Sequence, residues 1–442
     1  MRKAKILFIA VMVISLLVGC SGGNKKDSSN NSTNNNNKEN QQTVKKDPVT
    51  VKFWSSMRGG MGEVQQSIID DFNNSQDEVI VEVLFQGNYY DMGAKLQAAV
   101  ASGDVPHIAQ LEMSRIKLFD EAGALADMKP YINKNNIDLN DFVEGLMSFS
   151  YVDDRIVSLP FNRSTPLFYY NKDQFKEVGL DPENPPKTWD ELKEFAKKLS
   201  IPEKRWGYSV PIDTWFYEGM IMQNDGRIFN EDETGIGFDN EIGTKPLYFW
   251  KDMIKDGSMK IPPGKEYNSF EVARNDFAAG IVSMISDSTG ALRLHQDTCE
   301  FEVGTAFLPK DSRYGVPTGG ANVIMMSGHP KEEEEAAWKF VEFLTNTENV
   351  AKWAKGTGYL PARKSSIESD DFKNYLKENP NAQTAIDQLE YTDIPRPFHD
   401  KFTEIHFVTI MDAIQKCILV DNYTPEQAVA DIAKEAKELL SE

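Results

Sequence analysis

The stretch that organises the chain is Leu159-Pro160-Phe161-Asn162-Arg163-Ser164-Thr165-Pro166-Leu167-Phe168-Tyr169-Tyr170-Asn171-Lys172. Polar and turn-prone residues lead directly into an apolar, aromatic run. Each proline lacks an amide donor and restricts the residue before it to extended conformations. The pattern predicts an extended segment that crosses between two folded bodies. A buried strand entered through an ordinary loop is the alternative.

Size, charge and cysteine content limit the classes of protein that the chain can belong to. A chain of 442 residues is too long for one compact core, so we expect two or three domains. The formal net charge of −20 disfavours nucleic acid as a partner, because an acidic surface repels phosphate backbones. Cys299 and Cys417 lie in ordinary contexts and are expected to be small buried hydrophobic residues, with a disulfide between them left open.

The first twenty residues have the pattern of an export signal. Three cations within the first five residues precede an apolar run, Ile6–Leu17, that is short for a membrane span. The run ends in Leu17-Val18-Gly19-Cys20, which resembles the lipobox of bacterial lipoproteins. We predict a signal peptide at residues 1–19 and a lipid on Cys20, with an uncleaved membrane helix as the alternative. Residues 20–47, rich in Asn, Ser, Lys and Gln, are predicted to form a flexible tether.

Strand and helix patterns alternate along the body of the chain. Val49–Trp54, Val79–Phe85 and Val105–Leu111 read as strands, and Tyr89–Ser102 reads as a helix between two of them. Thr188 followed by Glu191 predicts a capping box at the start of a later helix. Repeated alternation favours an α/β fold.

No motif of known chemistry is present in the sequence. It contains no HExxH, GxSxG, paired CxxC or P-loop, and its five histidines are dispersed. We therefore predict no catalytic residue, no metal site and no cofactor. A glycoside hydrolase remains an alternative, because its two carboxylates need only be close in space.

Aromatic residues beside turn signals are the most informative candidates for binding. Tyr89-Tyr90, Trp215-Phe216-Tyr217 and Tyr359 all lie in such positions. They are suited to stacking on a sugar ring or a glycerol backbone, and covering the core is the alternative.

Several short motifs, in order along the chain, resemble the extracellular solute-binding proteins of ABC importers, and in particular the glycerol-3-phosphate-binding branch. The motifs are Gly87-Asn88-Tyr89, Pro160-Phe161-Asn162, Ser164-Thr165-Pro166, Tyr169-Tyr170-Asn171-Lys172, Gly179-Leu180-Asp181-Pro182, Pro186-Lys187-Thr188-Trp189, Gly319-Gly320-Ala321 and Thr357-Gly358-Tyr359-Leu360-Pro361. The resemblance extends from about Val49 to the end of the chain.

The resemblance implies a periplasmic-binding-protein-like α/β fold with two hinged lobes and the ligand in the cleft between them. On this basis we expect residues 48–161 with 289–329 in lobe 1, and residues 162–288 with 330–442 in lobe 2. It also implies ligand contacts by residues that match the branch, with Glu112 matching only loosely, offset by one position. These residues are Tyr89, Glu112, Ser164, Trp215, Ser288, Gly320 and Tyr359.

Two departures from the branch concern the ligand. Ile212 stands where the branch has a second tryptophan, and no arginine lies between Phe398 and Asp412, where the branch has its phosphate-binding arginine. Arg163 and Arg396 are the candidate substitutes, and glycine-rich amides at residues 58–62 or 318–320 are candidate further donors.

The resemblance therefore predicts a monomeric, lipid-anchored receptor outside the cytoplasm that delivers its small-molecule ligand to an ABC permease without covalent chemistry. The expected ligand is glycerol-3-phosphate or a glycerophosphodiester, and a neutral sugar or oligosaccharide is the alternative.

Overall fold

The computed structural model of the protein describes residues 47–147, 149–264, 267–392 and 401–441. The predicted signal peptide, the lipid on Cys20, nearly all of the predicted tether and the candidate cation Arg396 lie outside these residues. No helix in the described residues is both long enough and apolar enough to span a membrane.

The strands and helices alternate along most of the chain. The strands are β1 Val49–Ser55, β2 Val79–Phe85, β3 Ile108–Glu112, β4 Tyr151–Val152, β5 Arg155–Ile156, β6 Ser158–Ser164, β7 Pro166–Asn171, β8 Trp206–Ser209, β9 Met259–Lys260, β10 Val282–Ser288, β11 Val303–Ala306 and β12 Gly319–Met325. The helices are α1 Gly59–Ser75, α2 Tyr89–Ser102, α3 Ile116–Glu121, α4 Lys129–Lys134, α5 Lys172–Glu177, α6 Trp189–Leu199, α7 Thr214–Gln223, α8 Glu241–Lys255, α9 Tyr267–Ala278, α10 Leu292–Thr298, α11 Lys331–Leu344, α12 Thr347–Thr357, α13 Lys364–Glu368, α14 Asp370–Glu378, α15 Pro380–Asp387, α16 Phe402–Glu404, α17 Met411–Leu419 and α18 Pro425–Leu440. Short 3₁₀ turns include Met113–Arg115 and Thr289–Ala291, and Ile405–Ile410 is a π-helix.

Two five-stranded sheets form the framework. The first sheet has the order β2-β1-β3-β12-β6, and the second has the order β11-β7-β10-β8-β9. Each sheet combines parallel pairs with antiparallel ones: β1 is parallel to β2 and β3, whereas β12 is antiparallel to β3 and β6. We call the first sheet with α1, α11 and α12 the first lobe, and the second sheet with α6, α7, α8, α17 and α18 the second lobe.

The crossing segment predicted from the sequence is confirmed. Strand β6 ends in the first sheet at Ser164, and β7 begins in the second sheet at Pro166. Only Thr165 lies between them, and it is completely buried. The Thr289 amide donates to the Thr165 carbonyl (N···O 2.9 Å), which brings the end of β10 against the crossing point. The lobes are therefore joined through a short, packed connection.

Two segments lie elsewhere than in the predicted lobes. Strand β11 was expected in lobe 1, but it pairs with β7 in the second sheet. Helix α11 was expected in lobe 2, but it packs on β1, with the rings of Phe340 and Phe53 5.7 Å apart. The apolar stripe of α11 was visible in the sequence, but a stripe does not specify which sheet it covers. The remaining limits of the lobes stay a prediction.

Local features agree closely with the sequence analysis. The capping box at the start of α6 is present: the Glu191 amide donates to Thr188 Oγ1, and the Glu191 carboxylate accepts from the Thr188 amide. Both cysteines of the folded body are free thiols. Cys417 is buried as expected, whereas Cys299 is partly exposed.

Candidate functional site

Several predicted ligand residues lie at or next to the ends of strands and helices. The Tyr89 and Tyr359 hydroxyl oxygens are 3.3 Å apart, although the two residues are 270 positions apart in the chain. Tyr89 begins α2, whose N-cap Asn88 accepts from the second and third helical amides. Tyr359 follows the left-handed Gly358 that ends α12. Two helix termini thus place these hydroxyls side by side.

Ser288 joins the tyrosine pair through the turn after β10. Its hydroxyl accepts from the Gly290 amide at 3.1 Å and caps the 3₁₀ turn. A Cβ on Gly290 would lie 2.8 Å from Cζ of Tyr359, so the tyrosine ring packs directly on this backbone. The structure therefore brings Tyr89, Tyr359 and Ser288 together.

Trp215, in the second lobe, contacts the start of β12. It lies in the first turn of α7, where the N-cap Asp213 accepts from its amide at 2.9 Å. Its indole Nε1 donates to the Thr318 carbonyl at 3.3 Å. A Cβ on Gly319 would lie 2.7 Å from the indole ring, so only a glycine allows this packing. The indole is partly exposed, which leaves surface for a ligand.

Strand β12 is the backbone element that links the other predicted residues. Gly320 pairs with Arg163 on β6, and the next residue, Ala321, pairs with Glu112 on β3. Ser164, at the end of β6, is buried. Gly320 has φ of +95° and approaches the β6 backbone so closely that a Cβ would lie 1.8 Å from the Asn162 carbonyl oxygen.

Arg163 is the predicted substitute cation, and its donors point into the protein. It is completely buried. Its Nε donates to the Gly319 carbonyl at 3.1 Å, Nη1 to Asn322 Oδ1 at 3.2 Å and Nη2 to Thr318 Oγ1 at 2.8 Å. Burial lowers the pKa of the guanidinium to about 10, against a raising effect of Glu112, so it stays charged at neutral pH. These contacts fix β12 and its preceding loop on β6.

Carboxylates lie on both sides of the cleft. Burial raises the pKa of Glu112. The Ser114 amide donates a hydrogen bond to the Glu112 carboxylate, and this bond lowers the same pKa by a smaller amount. Burial likewise raises the pKa of Asp213. A buried carboxylate is unfavourable unless its oxygens accept hydrogen bonds. Glu112 and Asp213 therefore favour a ligand that donates hydrogen bonds.

His406 lies among these carboxylates and was not singled out in the sequence. Its Nε2 is 3.1 Å from Oε2 of Glu218, and its ring stacks on Phe402 at 5.0 Å. A protonated imidazole at this position lowers the pKa of both Glu112 and Asp213, although less than their burial raises it. Val408, which lies in the stretch between Phe398 and Asp412 where the branch has its phosphate-binding arginine, is half exposed. No local spacing marks His406, because its neighbours come from distant segments.

The other sequence candidates have different surroundings. The guanidinium of Arg58 contacts the Glu271 carboxylate on α9, and both side chains are exposed. Two dispersed histidines, His107 and His329, come together with Glu333, and their ligand-type atoms lie within 4.8 Å of one another. However, His107 Nδ1 accepts from the Lys52 amide at 3.0 Å, so Nε2 carries the proton and donates to Glu333. That tautomer leaves Nε2 without a lone pair for a metal ion.

Comparison with known proteins identifies relatives over most of the chain. Residues 67–382, more than half of the chain, match the family described as bacterial extracellular solute-binding protein. The chain is 28% identical over 413 residues to the sn-glycerol-3-phosphate-binding periplasmic protein UgpB of Escherichia coli K12, covering 88% of this chain and 92% of that protein.

Solved structures show the same architecture. The crystal structure of UgpB from Mycobacterium tuberculosis in complex with glycerophosphocholine has a TM-score of 0.79 and 26% identity, and the match covers 89% of this chain and 98% of that one. An ABC transporter solute-binding protein of Thermotoga lettingae, bound with α-D-tagatose, has a TM-score of 0.78 and 24% identity, over 89% of this chain and all of that one, and supports the fold alone. The two-lobed fold predicted from the sequence is thereby confirmed.

Proposed function

The chain belongs to the bacterial extracellular solute-binding proteins, and from this premise we propose that it captures glycerol-3-phosphate or a glycerophosphodiester for an ABC importer. The observation that supports the proposal is the contact between the Tyr89 and Tyr359 hydroxyls beside the turn that follows Ser288. Trp215 packs on the start of β12. These residues match the glycerol-3-phosphate-binding branch. Relatives that carry that name, or that bind glycerophosphocholine, support the same class of ligand.

We further propose that the ligand is held by closure of the two lobes. The chain crosses between the sheets at Thr165, and contacts between the lobes include the hydrogen bond from Trp215 Nε1 to the Thr318 carbonyl. Closure removes water from the aromatic and hydrogen-bonding groups, which strengthens each polar contact that the ligand makes. Small-angle scattering should report a smaller radius of gyration at saturating ligand.

The proposed cellular arrangement follows from the first residues of the chain. A lipid on Cys20 and the tether of residues 20–47 would hold the folded body near the membrane, where a permease receives the ligand. The proposal includes a monomer that carries out no covalent chemistry and needs no cofactor. Recovery of the unchanged ligand after prolonged incubation tests the absence of turnover, and accumulating product would favour a hydrolase.

A neutral sugar or oligosaccharide is the second candidate ligand. Two observations favour it: three donor groups of Arg163 are hydrogen-bonded within the protein, and the carboxyl groups of Glu112 and Asp213 lie near His406. Carboxylates accept hydrogen bonds from sugar hydroxyls and repel a phosphate.

A thermal-shift screen with sn-glycerol-3-phosphate, glycerophosphocholine and maltose separates the candidates. A ligand present at about 100 times its Kd stabilises the folded protein by about 2.7 kcal/mol. Calorimetry on the best ligand should then show weaker binding by Trp215→Ala, because a stacked aromatic contributes about 1 kcal/mol. Tyr248→Ala is the matched control, since Tyr248 is an exposed aromatic on α8. Stabilisation by maltose alone would support the second candidate, and no effect of any probe would count against both.

A further inference from the structure

His406 has one ring nitrogen that is hydrogen-bonded and one that is not. Its Nε2 lies 3.1 Å from Glu218 Oε2. Its Nδ1 is buried and has no hydrogen-bond partner among the residues that the structure describes. A buried polar atom without a partner is costly and calls for an explanation. The histidine lies in the π-helix Ile405–Ile410, a rare conformation that is frequent at functional sites.

The segment around His406 is held between the two lobes. On the second-lobe side, the Thr214 hydroxyl donates to the His406 carbonyl at 2.9 Å. On the first-lobe side, the Thr403 hydroxyl donates to the Ser114 carbonyl at 2.8 Å, and the rings of Phe407 and Tyr90 lie 6.4 Å apart. The imidazole therefore lies in the cleft region, between the elements that carry Glu112 and Trp215.

Three carboxylates face the imidazole from the elements around it. Glu218 and the N-cap Asp213 belong to α7, and Glu112 ends β3. The buried face of α18, which packs on the same π-helix, is apolar. An ionised Glu218 can only accept a hydrogen bond, so Nε2 carries a proton. Protonation of the ring would then place its second N–H on Nδ1, where an acceptor is missing.

We propose that His406 is a ligand-binding residue. Its imidazolium is held through Nε2 by Glu218, and its Nδ1–H group donates a hydrogen bond to an anionic oxygen of a bound phosphodiester. The inference rests on the proposed function, because it takes the ligand to be a phosphate ester. It supplies a cation to the cleft that does not depend on the buried Arg163. It also makes binding dependent on protons, since an anion beside the ring favours the protonated imidazole.

The test is calorimetry on the full chain with glycerophosphocholine as the probe. A phosphodiester does not titrate near neutral pH, whereas a monoester does, with a second pKa of about 6. Titrations at pH 7.5 in two buffers of different ionisation enthalpy therefore count protons taken up by the protein alone. We expect proton uptake by the wild type, and affinity that falls as the pH rises from 6 to 8.

Variants at His406 decide between a binding role and a merely structural one. His406→Gln keeps a hydrogen-bonding side chain but cannot become a cation, so it should lose the proton uptake and about tenfold or more in affinity. His406→Phe should lose at least as much affinity, and circular dichroism checks that both variants fold. His329→Gln, a histidine away from the cleft, should keep both properties.

Two results would overturn the inference: binding by the wild type without proton uptake, or equal uptake and affinity in His406→Gln. Failure of the proposed function is distinct, because the wild type would then bind no phosphate ester.

Discussion

Gly320→Ala should be among the most destabilising single-methyl additions in this protein. Gly320 has φ of +95°, and an alanine Cβ there would lie 1.8 Å from the Asn162 carbonyl oxygen and 2.9 Å from its carbon. Both atoms belong to the backbone of β6, so no side-chain rotation relieves the overlap. Either β12 or β6 must move away, at the point where Arg163 pairs with Gly320.

The size of the effect follows from two contributions. A left-handed backbone conformation costs an alanine about 1–2 kcal/mol. Displacing a paired strand also disturbs the hydrogen bond from Arg163 Nε to the Gly319 carbonyl, and loss of buried hydrogen bonds costs about 1–3 kcal/mol each. We expect a loss of about 2–5 kcal/mol in the free energy of unfolding, and the upper part of that range is exceptional for a single substitution.

Gly328→Ala is the matched control for this prediction. Gly328 has φ of +91°, but no atom lies within 4 Å of its added Cβ. It should therefore show only the backbone contribution, about 1–2 kcal/mol. Urea denaturation of both variants, read by tryptophan fluorescence and circular dichroism, measures the difference. Equal losses in the two variants would show that the contact with Asn162 is not what requires glycine at position 320.

Three further predictions concern charge and location. Arg163→Leu should lower the free energy of unfolding by about 3 kcal/mol or more, measured in urea, because it leaves three buried acceptors unpaired. Burial alone would raise the pKa of Asp287, but Arg274 and His295 hold that pKa well below its usual range. The ionised Asp287 therefore contributes fully to the stability of the fold above about pH 4, and this stabilisation is lost as the pH falls. Asp287→Asn should thus remove part of the acid-induced loss of stability, and an unchanged pH profile would contradict this. Cys20→Ala should move the protein from the membrane fraction to the soluble fraction, and continued membrane association would argue against a lipid on Cys20.

The features predicted well from the sequence are those that depend on neighbouring residues. Strand β2 and helix α2 have the predicted limits, Val79–Phe85 and Tyr89–Ser102. The capping box at Thr188 needs only a hydroxyl and a carboxylate three positions apart. The crossing at Thr165 was recognisable because Pro166 interrupts one extended segment and starts another.

The features that were missed depend on partners far along the chain. Strand β11 pairs with β7 across more than 130 positions, and nothing in Val303–Ala306 specifies that sheet. Helix α11 covers β1 although almost 280 positions separate them. The sheet that a strand joins or a helix covers is determined by the packing of the whole lobe. Local periodicity in the sequence carries no information about that packing.

The candidate site shows the same limit. Family resemblance selected Tyr89 and Tyr359, whose hydroxyls lie side by side, but the residue types alone did not imply that contact. The position of Arg163 in the crossing motif predicts a ligand cation. Its three donated hydrogen bonds became visible only with β12 in place. His406 is one of five dispersed histidines, and the sequence does not mark it because its partner Glu218 lies 188 positions away.

The charge balance of the cleft connects these observations to the identity of the ligand. The chain carries a formal net charge of −20, so its long-range field opposes the approach of an anion. Once an anion is inside, Glu112, Asp213 and Glu218 oppose it at short range, and an isolated buried charge is strongly unfavourable. A phosphate ester can therefore be bound only if a local cation outweighs these carboxylates. Because Arg163 already serves the protein's own acceptors, the proposal assigns to the His406 imidazolium a positive charge that acts beside Arg115, whose charge lowers the pKa of Glu112. One imidazolium can balance the single negative charge of a phosphodiester but only half of the charge of a dianionic monoester. A neutral sugar needs no such cation.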